Sequence, residues 1–274
     1  MRRWAAAGRV FADGTRPVVM GIVNVTPDSF SGGGRRPTVV EAVARGLALA
    51  GEGAAILDVG GESSRPGAEP VPAAEEIARV VPVVEALAAS GGVPVSVDTT
   101  KAEVAAEALR AGAAIVNDIT AMADPDLARV VAGSGAGVVL MHMRGTPRTM
   151  QVEPSYEDVV TEIYDFLARR VEAAEALGIG RERVAIDPGI GFGKTSRHNL
   201  ELLRNLGRFA NLGCAVLVGT SRKGFLGALT GRPVGDRVAA SVASALAAVA
   251  RGADVVRVHD VAATVDAFKV WAPL

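Results

Sequence analysis

Eight short apolar runs recur along the chain: 18–25 (VVMGIVNV), 54–59 (AAILDV), 93–98 (VPVSVD), 114–119 (AIVNDI), 137–143 (GVVLMHM), 184–187 (VAID), 215–220 (AVLVGT) and 253–259 (ADVVRVH). Each is apolar at both odd and even positions, the pattern of a parallel strand covered on both faces. Between them lie Ala-rich stretches with helical spacing near 38–52, 72–90, 101–112, 124–134, 156–178, 197–210, 222–230 with 236–251, and 260–270. Thr100 and Asp260 are placed to start the helices that follow them, and Gly112 and Gly178 to end those before them. Eight strand–helix units in strict alternation predict an α/β fold, a single (β/α)8 TIM barrel spanning 1–274 with no linker marking a second domain. A doubly wound open sheet is the alternative that strand count alone leaves standing. Ahead of the first run, Asp13-Gly14 between Val10-Phe11 and Thr15-Arg16 predicts an N-terminal β-hairpin that plugs the barrel bottom.

Nearly every strand ends in a polar residue: Asn24, Asp58, Asp98, Asn117-Asp118, His142, Asp187, Thr220-Ser221, and Arg257 with His259. Burying such groups without partners costs several kcal/mol, so strands do not collect them for stability. In a (β/α)8 barrel all these ends face one mouth, where active sites lie. Taken singly, each is equally well explained as a cap or loop anchor, and Asp58 and Asp118 fit that role. Eight strands ending alike point to a site.

Composition narrows the class. Apolar residues make up 49% and charged residues 22% of 274, which excludes a disordered chain. With 29 basic and 30 acidic residues the net charge is −1, so no general attraction to nucleic acid or an anionic membrane is implied. No apolar run has the length of a membrane span, and the apolar stretch Trp4 to Ala7 behind Arg2 and Arg3 is too short for a signal-peptide core. One cysteine, Cys214, excludes an intramolecular disulfide and reads as a packing residue. Together these predict a soluble, cytoplasmic protein.

Asp98, Asn117 and Asp187 offer carboxylate and amide groups suited to a flat heterocycle rich in N–H donors and ring nitrogens. Arg257, His259 and Asn24 suit an anionic group such as a diphosphate, with Asn24 also able to meet a magnesium ion. Lys223 sits at a strand-to-helix turn, where free N–H groups attract an anion. The Gly-, Pro- and Ser-rich loops 26–37 and 61–72 read as mobile covers over the mouth. Pro188 to Thr195 is a near miss for a phosphate-binding loop, with proline where glycine is required. His142, His198 and His259 lack zinc spacing. His198 reads as a solvent-facing residue at a helix start, and His142 equally as a packed strand residue or a site residue.

Six segments together resemble the dihydropteroate synthase family: Gly21-Ile22-Val23-Asn24-Val25-Thr26-Pro27-Asp28-Ser29-Phe30, Asp58-Val59-Gly60-Gly61-Glu62-Ser63-Ser64-Arg65-Pro66-Gly67, Ser96-Val97-Asp98-Thr99, Asp187 to Lys194, Ser221-Arg222-Lys223, and Arg257-Val258-His259-Asp260. Asn117-Asp118 and Leu140-Met141-His142 extend the match through most of the chain. The resemblance implies condensation of a pterin diphosphate with 4-aminobenzoate, magnesium as cofactor and a homodimer, for which the Ala-rich 238–250 stretch is the candidate interface. It implies that Asp98, Asn117, Asp187 and Lys223 bind the pterin, with Met141 and Phe192 lining its slot. Arg257 would cover one ring face and join His259 and Asn24 on the diphosphate and magnesium; Asp98, Lys223, Arg257 and His259 carry the catalytic load. Ser64, Arg65 and Pro66, with Phe30, would shape the aminobenzoate pocket.

Two positions depart from the family pattern. Gly32 stands where many members have Asp in the first loop, which bears on loop ordering and turnover. Gly224 stands where a Ser helps hold the aminobenzoate carboxylate, so its N–H alone remains to donate. A non-catalytic pterin-binding paralogue and a methyltetrahydrofolate-dependent methyltransferase are the alternative functions.

Overall fold

The computed structural model describes residues 2–6, 8–26 and 38–272. Two antiparallel strands come first, β1 (Arg3–Ala6) and β2 (Arg9–Asp13). Then follow β3 (Val18–Asn24), α1 (Val39–Gly51), β4 (Ile56–Gly60), α2 (Ala73–Ala89), β5 (Val95–Asp98), α3 (Ala102–Arg110) and β6 (Ile115–Asp118). The second half runs α4 (Pro125–Ser134), β7 (Gly137–Met141), α5 (Val159–Ala176), β8 (Val184–Asp187), α6 (Ser196–Arg204) and β9 (Ala215–Val218). It ends with α7 (Gly224–Thr230), α8 (Val238–Val249), β10 (Val255–Val258) and α9 (Val261–Trp271). Strands β3 to β10 pair in parallel and close, β10 against β3, into an eight-stranded barrel, which excludes the open sheet.

Alternation along the strands divides the apolar residues into two cores. Leu57, Val59, Val97, Val116, Leu140, Ile186, Val216 and Val258 point outward and pack with helix residues such as Val80, Leu127, Ile163 and Phe209. Met20, Ile56, Ile115, Val139, Ala185, Leu217 and Val255 point inward, and there they meet Trp4 and Phe11 of the hairpin. Trp4 is fully buried, edge-on to Phe11 at 5.1 Å, with Nε1–H donating to the Arg183 carbonyl at 3.0 Å, just ahead of β8. The hairpin therefore seals the amino-terminal end of the barrel, and the opposite end is left for the site.

The hairpin's turn is not at Asp13-Gly14. Ala6 pairs with Arg9 around Gly8, whose φ of +73° supplies the left-handed turn. This register sets Trp4 opposite Ala12 and turns both into the barrel interior. Asp13 instead closes a local turn, its Oδ1 accepting from Thr15 N–H and Oγ1–H. Three helix limits also shift. The helix near 101–112 is capped at Lys101 rather than Thr100. The helix foreseen over 156–178 starts after Asp158, whose carboxylate accepts from the Val160 and Thr161 N–H groups. The stretch 197–210 breaks at Asn205 into α6 and a tighter 3-10 turn, Leu206–Leu212.

Candidate active site

Followed toward the carboxyl ends, the inward positions change from apolar to polar: Ile56 to Asp58, Ile115 to Asn117, Ala185 to Asp187, and Val255 to Arg257; on β5 Ser96 already precedes Asp98. Strand register brings these residues level. Asn24 lies opposite Gly60, Gly60 opposite Asp98, and Asp98 opposite Asn117, while Met141 lies opposite Asp187.

Arg257 organises the mouth. Its Nε donates to Asp58 Oδ2 at 2.6 Å and its Nη2 to Asp98 Oδ2 at 2.7 Å. Asn117 Nδ2 donates to the same Asp58 oxygen at 3.0 Å. A carboxylate only accepts, so this contact turns the Asn117 nitrogen inward and leaves its Oδ1 to accept from a ligand. Burial raises the Asp98 carboxyl to about 7, against the pull of Arg257 and with the repulsion of Asp58 added.

Across the mouth, burial also raises Asp187, opposed by the Gly189 N–H at 2.7 Å and by Lys223. Burial lowers the Lys223 ammonium to about 8 against the attraction of Asp187, and its Nζ sits 3.9 Å over the Phe192 ring. Phe192 is carried there by a tight loop after β8. At Gly189 φ is +69°, and a Cβ would lie 1.9 Å from the His142 carbonyl oxygen, so only glycine fits. Below it the buried Lys194 donates to the Phe192 carbonyl at 2.9 Å and the His142 carbonyl at 3.3 Å, with His142 Nδ1 at 3.0 Å.

His259 lies just past β10, its Nδ1 3.0 Å from Ser221 Oγ, which also accepts the His259 backbone N–H. Burial, with Arg257 and Arg222 close by, drives its pKa down to about 3, so the imidazole is neutral. Arg222, in a left-handed conformation at φ +57°, braces the Ser221–Lys223 turn through a two-pronged pair with Asp260 at 3.0 and 2.5 Å.

A model of the family described as pterin binding enzyme matches residues 20–259. Dihydropteroate synthase of Escherichia coli (strain K12) is 45% identical over 267 residues, covering 96% of this chain and 95% of that protein. Solved Xanthomonas albilineans dihydropteroate synthase with 4-aminobenzoic acid shares 53% identity at a TM-score of 0.92, over 99% of this chain and 97% of the other. The same enzyme in complex with 7,8-dihydropteroate shares 50% at 0.89, over 99% and 98%.

The chain belongs to the dihydropteroate synthase family of pterin-binding enzymes.

Of the positions that the dihydropteroate synthase motifs single out, Asn24, Asp98, Asn117, Met141, Asp187, Phe192, Lys223, Arg257 and His259 all stand at this one mouth. Ser64 is half-buried and Arg65 and Pro66 are exposed on the loop that follows β4. Gly224 opens α7 with no atom within 4 Å of where a Cβ would stand. Phe30 and Gly32 lie outside the described residues.

Strand alternation removes two strand-end residues from the mouth. Asp118 points outward and holds its own turn, accepting from Thr120 N–H and Oγ1–H and from Met122 N–H. His142 also points outward, edge-on to Phe166 at 4.9 Å, and is a packed strand residue. His198 is not solvent-facing: it is half-buried, edge-on to Tyr156 at 5.1 Å, and its Nδ1 accepts the Thr195 N–H. Cys214 is buried, as a packing residue should be. The 61–72 loop is tied down rather than loose, with Gly67 N–H donating to the Pro147 carbonyl at 3.0 Å. Sequence reasoning undervalued Asp58, which as a lone strand aspartate carries no signal of the two partners it holds. It also left Lys194 without a role, because nothing local marks a lysine as buried.

Proposed function

We propose that this chain condenses a 6-hydroxymethyl-7,8-dihydropterin diphosphate with 4-aminobenzoate, giving dihydropteroate and diphosphate, a step of folate biosynthesis. The observation that carries this reading is Arg257, held by two carboxylates at the rim where heterocycle-binding and anion-binding groups meet. The likeness to solved enzymes holding 4-aminobenzoic acid and 7,8-dihydropteroate supports it.

Asp98, Asp187 and the free Asn117 oxygen accept N–H bonds from the pterin edge, and the Lys223 ammonium donates to a ring acceptor. Arg257 flanks the ring. Held flat against this wall, the pterin has its methylene carbon directed toward Arg257 and His259. The bond from that carbon to the diphosphate oxygen breaks, the oxygen keeping the electron pair, and the remaining cation is delocalised into the pterin. Arg257 and a neutral His259 N–H stabilise the charge gathering on the leaving oxygens. The aniline nitrogen of 4-aminobenzoate then bonds to the methylene carbon and loses a proton. Ser64, Arg65, Pro66 and the N–H of Gly224 face the aminobenzoate side.

Asn24 is half-buried at the rim, and its side chain makes no hydrogen bond to another described residue. Among the described residues no group of three or more His, Cys, Asp or Glu side chains is placed to hold a metal. The Asn24 amide oxygen is a hard donor of the kind magnesium takes, so Asn24 would be the protein's ligand to such an ion. When bound there it neutralises charge on the diphosphate oxygens.

No helix among the described residues is long and apolar enough to cross a membrane. The single buried cysteine suits a reducing cytoplasm. For a homodimer the candidate face is α8, where Ala239 and Ala243 are exposed and small enough for close helix approach. Sedimentation at micromolar concentration checks this; monomer alone rejects it. The decisive test of the reaction is diphosphate release from the pterin diphosphate with and without 4-aminobenzoate. Release that depends on the second substrate, with dihydropteroate formed, is expected; pterin binding without release would mean a non-catalytic binding protein.

A further inference from the structure

Outside the mouth, one cluster of charges has no part in the reaction just derived. Lys101, the residue before α3, donates from Nζ to Glu62 Oε2 at 2.6 Å and to Glu76 Oε2 at 2.5 Å. Glu62 opens the 61–72 loop, and the same Oε2 accepts the N–H of Val71 at its far end, at 2.7 Å. One carboxylate oxygen thus ties both ends of the loop together and ties them to Lys101. Glu76, on α2, is fully buried, and among the described residues Lys101 is the only cation it bonds. The loop also rests directly on α2, since a Cβ on Gly61 would come within 2.6 Å of Val80 Cγ1, and Arg79 donates to the Gly61 carbonyl at 2.6 Å. Burial disfavours the Lys101 ammonium, but the bonds to Glu62 and Glu76 outweigh it and hold its pKa above the ordinary value.

Lys101 stands three residues after Asp98, so the bridge joins the strand end assigned to the pterin to the loop carrying Ser64, Arg65 and Pro66. We propose that Lys101, acting through Glu62, is a positioning residue that keeps the 61–72 loop closed at its base and so pre-forms the aminobenzoate side of the site. Charge-assisted bonds at these lengths are short and directional, which suits a tether. The consequence is selective: loosening the loop affects capture of the second substrate and spares the pterin, whose contacts come from the barrel strands. The assignment rests on the reaction proposed above.

The test is Glu62→Gln, which weakens the tether while leaving the Lys101–Glu76 pair in place. Expected are an increase of about tenfold in KM for 4-aminobenzoate, a KM for the pterin diphosphate within about twofold of wild type, and an unchanged Tm. Amide hydrogen exchange should accelerate within 62–71 and nowhere else. Lys101→Met should reproduce the KM effect with some loss of stability, because it leaves Glu76 buried and unpaired; Lys101→Arg, which can bridge both carboxylates, should restore the KM. Unchanged exchange in 62–71 overturns the proposal, as does an equal rise in both KM values with a lowered Tm. Exchange is measured without turnover, so a failure of the proposed reaction and a failure of the tether are told apart.

Discussion

Replacing Asp58 with Asn tests the organisation of the mouth at its most connected point. The Asp58 carboxylate is fully buried and one of its oxygens accepts from both Arg257 and Asn117. Asparagine keeps the shape and one oxygen but loses the charge. A hydrogen bond to a charged group contributes about 1.5–3 kcal/mol and a neutral one about 0.5–1.5, so the loss at Arg257 is about 1–2 kcal/mol. At about 1.4 kcal/mol per factor of ten, kcat/KM for the pterin diphosphate should fall about 5- to 30-fold. A second signature is independent of the first. Asp58 is one of the charges that raise Asp98, and without it Arg257 is left to Asp98 alone, so the acid limb of the pH profile should move below about 7. Stability should fall as well, because Arg257 loses one of its two carboxylate partners and the new amide nitrogen takes the buried, partnerless place of Asp58 Oδ1. The assay is steady-state diphosphate release over varied pterin diphosphate from pH 5.5 to 9. A kcat/KM within twofold of wild type, with the acid limb unmoved, would refute the idea that Asp58 orients Arg257 and Asn117.

Wild-type kcat/KM should itself be bell-shaped. Asp98 must be ionised to accept N–H bonds, so activity rises as pH passes about 7, and Lys223 loses its charge as pH passes about 8. Asp98→Asn should abolish the acid limb; a limb that persists would assign it elsewhere. For stability the sign is opposite: Asp98 holds its proton more tightly folded than at its ordinary 3.8, so stability is lost as pH climbs toward 7, which melts at stepped pH would show. Gly189→Ala adds a Cβ against the His142 carbonyl at positive φ, and should lower Tm by more than the ~1–2 kcal/mol of left-handed strain alone predicts. Trp4→Ala should lower stability by about 3–5 kcal/mol in chemical denaturation while leaving both KM values unchanged, since it empties the sealed end of the barrel. A change in KM there would mean that the two ends are coupled.

Much of the molecule could be read along the chain because its information is local. Apolar runs on both faces, spaced by helical stretches, can bury themselves in few ways, and eight in alternation close into a barrel with every carboxyl end at one mouth. The polar strand ends therefore fall at one rim, where the Asp98, Asn117, Asp187, Lys223 and Arg257 positions meet. What the chain order could not say is which way each polar residue points and which partner it meets. Asn117 and Asp118 are neighbours, yet pleating sends one into the mouth and the other into the helix layer. Asp58 meets Arg257 across 199 positions, and Glu62 meets Lys101 across 39. Charge states such as those of Asp98 and His259 follow from burial together with these neighbours, and both exist only once the barrel has closed.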